Sequence, residues 1–140
     1  MSDRAPTERS EDTRLTELLA GLDARRRPGS YTLLEADPRF DDDEIEALLR
    51  EDEGVSVVVS VDAAARLGKD VSFRAAWLTL GVASDVTDVG LTAAVSSALA
   101  RASIPCNVLA GLHHDHLLVP DDEATRALAI LDQLRTSASS

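Results

Sequence analysis

A chain of 140 residues, 44% of them apolar, can bury one compact core or two very small units that share one. Only 3% of the residues are aromatic, so the core must be built from Leu, Val, Ile and Ala, and a nucleic-acid channel of stacked rings is excluded. The formal net charge of -11 repels phosphate backbones and anionic lipid, which argues against nucleic acid or a membrane as partner.

Residues 1–12 are polar, carry no apolar signal segment and are expected to be disordered. Leu15, Leu18, Leu19 and Leu22 then recur at helical spacing, and this helix is expected to stop at "RRRPG". Arg25, Arg26 and Arg27 at its end complement the helix dipole rather than form a binding patch. "SYTLLEA" reads as a strand closed by Asp37 and Pro38. "DDDEIEALLRED" has acids in a first turn and Ile45, Leu48 and Leu49 on one face, which predicts a short helix. "EGVSVVVSV" is a β-branched strand bounded by Gly54, and "DAAARLG" is one or two helical turns ending at Gly68.

"FRAAWLTLGV" is apolar on both faces, which marks a central strand. After the polar loop "SDVTDVG" the period changes. Leu91, Ala94, Val95, Ala98, Leu99 and Ala102 define a helix that starts at Gly90 or Leu91. "CNVLAG" and "HLLVP" are strands too close in sequence to be anything but antiparallel neighbours. Pro120 halts the second, and Asp121, Asp122 and Glu123 open a last helix that carries Leu128, Leu131 and Leu134. Residues 136–140 read as a disordered tail.

The second half is thus strand, helix, strand, strand, helix. A ferredoxin-like unit needs one more strand, which has to come from the first half. The expected class is α+β, with intertwined layers of helices on antiparallel sheets. Nothing is long enough to span a bilayer, and the single cysteine, Cys106, excludes an internal disulfide framework; a cytoplasmic location is expected.

Three features could carry chemistry. "AGLHHDHLLVP" holds every histidine of the chain. On a strand, His114 and His116 share one face while Asp115 points away. Such a pair can chelate a metal, but no Cys or His elsewhere supplies a third ligand, and polar hairpin tips commonly just bond their own backbone. Cys106, inside an apolar strand, reads as a small hydrophobe, and no Gly-x-Ser-x-Gly elbow surrounds a serine. In "TDVGLTAAVS" a strand gives way to a helix whose first N–H groups have no intrahelical partner and seat an anion. Without a Gly-x-x-x-x-Gly-Lys loop, a carboxylate suits it better than phosphate. Asp85 and Asp88 either cap that helix or receive the ammonium group of a bound amino acid. Asn107, facing opposite to Cys106 and Val108, needs a partner that is either backbone or ligand.

"VGLTAAVSSALARASIPCNVLAGLHHDHLLVP" strongly resembles the ACT-domain family of small bacterial proteins with two ACT-like halves. The Val-Gly-Leu-Thr-Ala helix start, the Ile-x-Cys-Asn-Val strand and the His-Asp-His hairpin follow in the family's order, and "PGSYTLLEA" and "EDEGVSVVV" match its upstream strands. The aspartates of "VASDVTDVG" and His113 depart from the family's pattern. The resemblance implies tandem ferredoxin-like (βαββαβ) units, an ACT-like half over 13–70 and an ACT domain over 71–135. It also implies a homodimer and a non-catalytic regulatory role without a cofactor. It places an amino-acid site at Asp88, Val89, Gly90, Leu91, Thr92 and Asn107, with His114, Asp115 and His116 matching the hairpin motif. Two other readings stay open: a metal-dependent enzyme built on His114 and His116, and an interaction module whose doubly apolar strands are covered by a second copy.

Overall fold

A computed structural model describes residues 6–82, 85 and 87–139, with side chains from residue 12 onward; Ala83, Ser84 and Val86 of the loop before Gly90 lie outside it, as do residues 1–5 and 140. The elements in chain order are α1 (Pro6–Ala20), β1 (Ala24–Arg26), β2 (Tyr31–Glu35), β3 (Ala47–Glu51), β4 (Gly54–Ser60), α2 (Val61–Arg66), β5 (Ala75–Leu80), α3 (Leu91–Arg101), β6 (Asn107–Ala110), β7 (Asp115–Pro120) and α4 (Ala124–Ser139). The strands form one antiparallel sheet in the order β3-β4-β2-β5-β7-β6, with β1 paired to β5. This is the expected α+β class.

The doubly apolar β5 is central. One edge pairs with β7 from Ala75 to Thr79, and the other meets β2 at Ala75 and β1 from Leu78 to Leu80. The strand missing from the second half is therefore β1, supplied by the arginine run that was expected to end a helix. Its approach is set at Gly81, whose N–H donates to the Asp23 carbonyl; a Cβ there would lie 2.6 Å from that oxygen, so only glycine fits. The three arginines end in ion pairs, Arg25 with Asp23, Arg26 with Asp121 and Arg27 with Glu46.

Three other expectations are corrected. Helix α1 begins at Pro6 and α4 runs to Ser139, so both reach into stretches expected to be disordered. "DDDEIEALLRED" is not a helix. Asp42–Glu44 form one 3-10 turn, with Asp41 and Glu44 closing a reciprocal cap, and Ala47–Glu51 pair with β4 as strand β3. The reason is tertiary: β4 is apolar on both faces, and a two-residue connection from Glu51 to Gly54 folds the preceding segment back along it.

Two trios of strands repeat one layout. In β3-β4-β2 and in β6-β7-β5 the third strand of the trio lies between the second and the first. Val61 donates its N–H to Ser30 at 2.9 Å, as Asp121 does to Arg74 at 3.0 Å, each joining the residue after the third strand to the one before the first.

Alternation divides the side chains between two faces. Ala76, Leu78, Leu80, Leu117 and Val119 meet Leu18, Leu91, Val95, Leu99 and Leu131 of the helices, and Leu22 just after α1, in the main core. Val57 and Val59 pack with Ala63 and Ala64 of α2 and with Phe40 of the loop after β2. On the face away from the helices, Tyr31, Val58, Ala75, Trp77 and Leu118 form a third cluster.

Candidate functional site

The start of α3 follows a turn at Gly90, whose φ of 96° is left-handed and whose position as N-cap leaves the first turn without a side-chain cap. Its leading amides are therefore free of partners from the helix itself. Leu91 is buried in the core and fixes the helix, while Thr92 lines a pocket of about 160 Å³ together with Asp85, Asp88, Ala110, Gly111 and Asp115. The pocket thus joins two stretches separated in sequence, the helix start and the β6–β7 hairpin.

The aspartates divide their work. Asp88 is held by Arg14 of α1, with Nε and Nη2 at 3.1 and 3.2 Å from its two oxygens, and it accepts the N–H of Asp85 at 2.6 Å. Its carboxyl lies below the usual range because of the Arg14 hydrogen bond first and the Asp85 amide second. Asp85 in turn accepts from the N–H and hydroxyl of Thr87, each at 3.1 Å. Both organise the loop. The carboxylate of Asp115, by contrast, makes no hydrogen bond or ion pair among the described residues.

Of the residues singled out in the sequence, Asp88, Leu91, Thr92 and Asp115 come together here, with Gly90 shaping the turn. Val89 is 56% exposed and does not line the pocket. Asn107 and His116 do not join them. Asn107 stands opposite Leu118, and His116 opposite Thr79 and Leu109, so both face away from the helices. Asp115 pairs with Ala110 and faces the other way, as alternation requires. His-Asp-His therefore does not converge on one point, and among the described residues no group of three or more potential ligands is placed to hold a metal ion.

His116 belongs to a different arrangement. Its Nδ1 accepts from Trp77 Nε1–H at 3.2 Å and lies 3.0 Å from the Thr79 hydroxyl. Indole is only a donor, so the imidazole proton sits on Nε2 and Thr79 donates as well. Arg27 Cζ lies 4.2 Å from the Trp77 ring centroid while Nη1 bonds Glu46 at 2.9 Å. Sequence reasoning missed this cluster. The signal was there in the doubly apolar "AWLTLGV", whose second face had to be covered by something.

Residues 72–133 match the family profile of the ACT domain. Over 89% of this chain and 98% of its own, a Vibrio cholerae protein described as of unknown function and a possible transport protein is 32% identical, with a TM-score of 0.78. An Agrobacterium tumefaciens protein is 18% identical over 81% of this chain and 89% of its own, TM-score 0.58. The α and β subunits of aspartokinase share the fold at 11% identity over 79% of this chain and 95% of the matched chain, TM-score 0.54. No curated protein matches the chain.

Proposed function

Because this chain belongs to the ACT-domain family, we propose that it is a non-catalytic regulatory module that binds a free amino acid at the start of α3. The observation that carries this reading is the pocket itself. An uncapped helix start, which attracts a carboxylate, faces an uncommitted carboxylate, Asp115, which attracts an ammonium group. A zwitterion answers both. At about 160 Å³ the space is well below the roughly 300–1,000 Å³ of drug-sized sites, which favours a small amino acid. Asp88, which the sequence suggested as an ammonium partner, is neutralised by Arg14 and serves instead to hold the loop. Leu91 and Thr92 supply the amides.

The same reading takes residues 13–70 as a reduced ACT-like half. The repeated strand order and the paired Val61 and Asp121 bonds support it. Its first helix is cut to the 3-10 turn at Asp42–Glu44, so this half has no long helix start to offer a second ligand. A homodimer is part of the proposal, and light scattering tests it.

Thermal unfolding against each of the twenty amino acids tests the site. One that binds stabilises the fold by about 2.7 kcal/mol at a hundredfold excess over its Kd. Asp115→Asn, at a half-buried hairpin position, keeps the fold and removes most of that shift. A folded sample that responds to none of them refutes the proposal.

A further inference from the structure

The sheet face away from the helices carries a groove separate from the pocket at α3. There the sheet curls so that its two edge strands, β3 and β6, border one groove of about 720 Å³ floored by Trp77, Leu118 and Val58. This lies within the roughly 300–1,000 Å³ of small-molecule sites, and like them the groove is apolar with a few polar groups. The geometry points to a neutral, apolar molecule bearing a hydrogen-bond acceptor as its occupant.

Three observations select that chemistry. First, the donor is oriented in advance. Trp77 and Thr79 fill Nδ1 of His116, so Nε2–H is left for the groove and has no partner among the described residues. Asn107, on the same sheet face of β6 and also unbonded there, adds a second polar group. Second, anions are disfavoured. Arg27 is the only Lys or Arg among the lining residues and is matched by Glu46, while Glu51 adds a further negative charge. Third, the seat for a cation is taken, since the Arg27 guanidinium already covers the Trp77 ring. The groove is apolar on this side, with Leu49 of β3 63% and Leu33 of β2, across β4, 51% exposed, and these would cover the body of the ligand. This site shares no side chain with the pocket at α3 except at the hairpin tip, Ala110 and Gly111.

The full chain is titrated with coumarin (neutral, with a carbonyl), naphthalene (the same shape without an acceptor) and coumarin-3-carboxylate (an anion). The readout is the indole N–H cross-peak in a ¹⁵N–¹H spectrum, unambiguous because Trp77 is the only tryptophan. Coumarin is expected to move it saturably, with naphthalene about tenfold weaker for want of one hydrogen bond and the carboxylate weaker still. His116→Phe should bring coumarin down to the level of naphthalene. Leu49→Glu, at an exposed wall position that leaves the fold intact, should abolish binding without altering any amino-acid response at α3. Naphthalene equal to coumarin, a preferred carboxylate, or undiminished binding in Leu49→Glu would each overturn the assignment. So would a cross-peak that moves with protein concentration alone, because a second copy would then fill the groove.

Discussion

His116 cannot accept a proton at Nδ1 without losing its hydrogen bond from Trp77. Trp77 has only a hydrogen to offer, so an imidazolium would break that bond and force the Thr79 hydroxyl to turn from donor to acceptor. Burial first, then the nearby Arg27 charge, accordingly lower its pKa below the ordinary 6.5. The unfolded chain therefore takes up this proton at a higher pH than the folded one. The contribution is fully present above pH 6.5 and is lost as pH falls through the folded value. Carboxylates such as Asp37, held low by Arg39 and Lys69, lose their contribution only at far more acid pH. The urea midpoint should thus fall between pH 7.5 and 5.5 in the native chain and change less in His116→Gln. Equal slopes for the two proteins would show that His116 does not set this dependence. Gly90 carries a separate constraint. At φ 96°, with the space for a Cβ only 3.0 Å from a methyl of Leu15, Gly90→Ala should cost about 1–2 kcal/mol in chemical denaturation.

Among the elements, α1 lies outside the span matched by the ACT profile, yet it is part of the same core. Leu18 is fully buried beside Leu78, Leu80 and Leu91, and Arg14 one turn earlier pairs with Asp88. Leu18→Ala should cost about 3 kcal/mol, as much as Leu131→Ala on α4, when both are measured by urea unfolding. A cost below about 1 kcal/mol would mean that α1 docks only loosely. Such packing explains what could be read in advance. The central strand β5, α3, the β6–β7 hairpin and α4 are legible because their apolar periods agree with where each is buried. The β3 segment is not. Ile45, Leu48 and Leu49 satisfy a helical period, and only the open edge of β4 turns Ala47–Glu51 into a strand. The arginines of β1 likewise have no strand-like pattern; they are drawn into the sheet by the edge of β5. The candidate site divides in the same way. A helix start announces itself locally, and so does the alternation that separates Asp115 from His116. That Asn107 lies across the sheet from α3 follows only once β6 is placed beside β7.

The two halves are interlocked rather than joined end to end. β1, from the first half, borders β5 of the second, and α1 helps to roof the core over α3 and α4. Asp121, at the entrance to α4, bonds Ser30 at 2.8 Å and pairs with Arg26. A fragment of residues 71–139 holds the entire ACT match but leaves Leu78 and Leu80 with an unpaired edge and removes Leu18 and Leu22 from the core. Unpaired edges recruit other chains, and lost core leucines each cost about 2–5 kcal/mol, together comparable with the whole stability of a small domain. The fragment should therefore aggregate or unfold without cooperativity, and a peptide of residues 6–30 supplied in trans should restore a sharp transition. A fragment that unfolds cooperatively at the midpoint of the full chain would show that the second half is self-sufficient, with β1 an accessory to its sheet rather than its fourth strand.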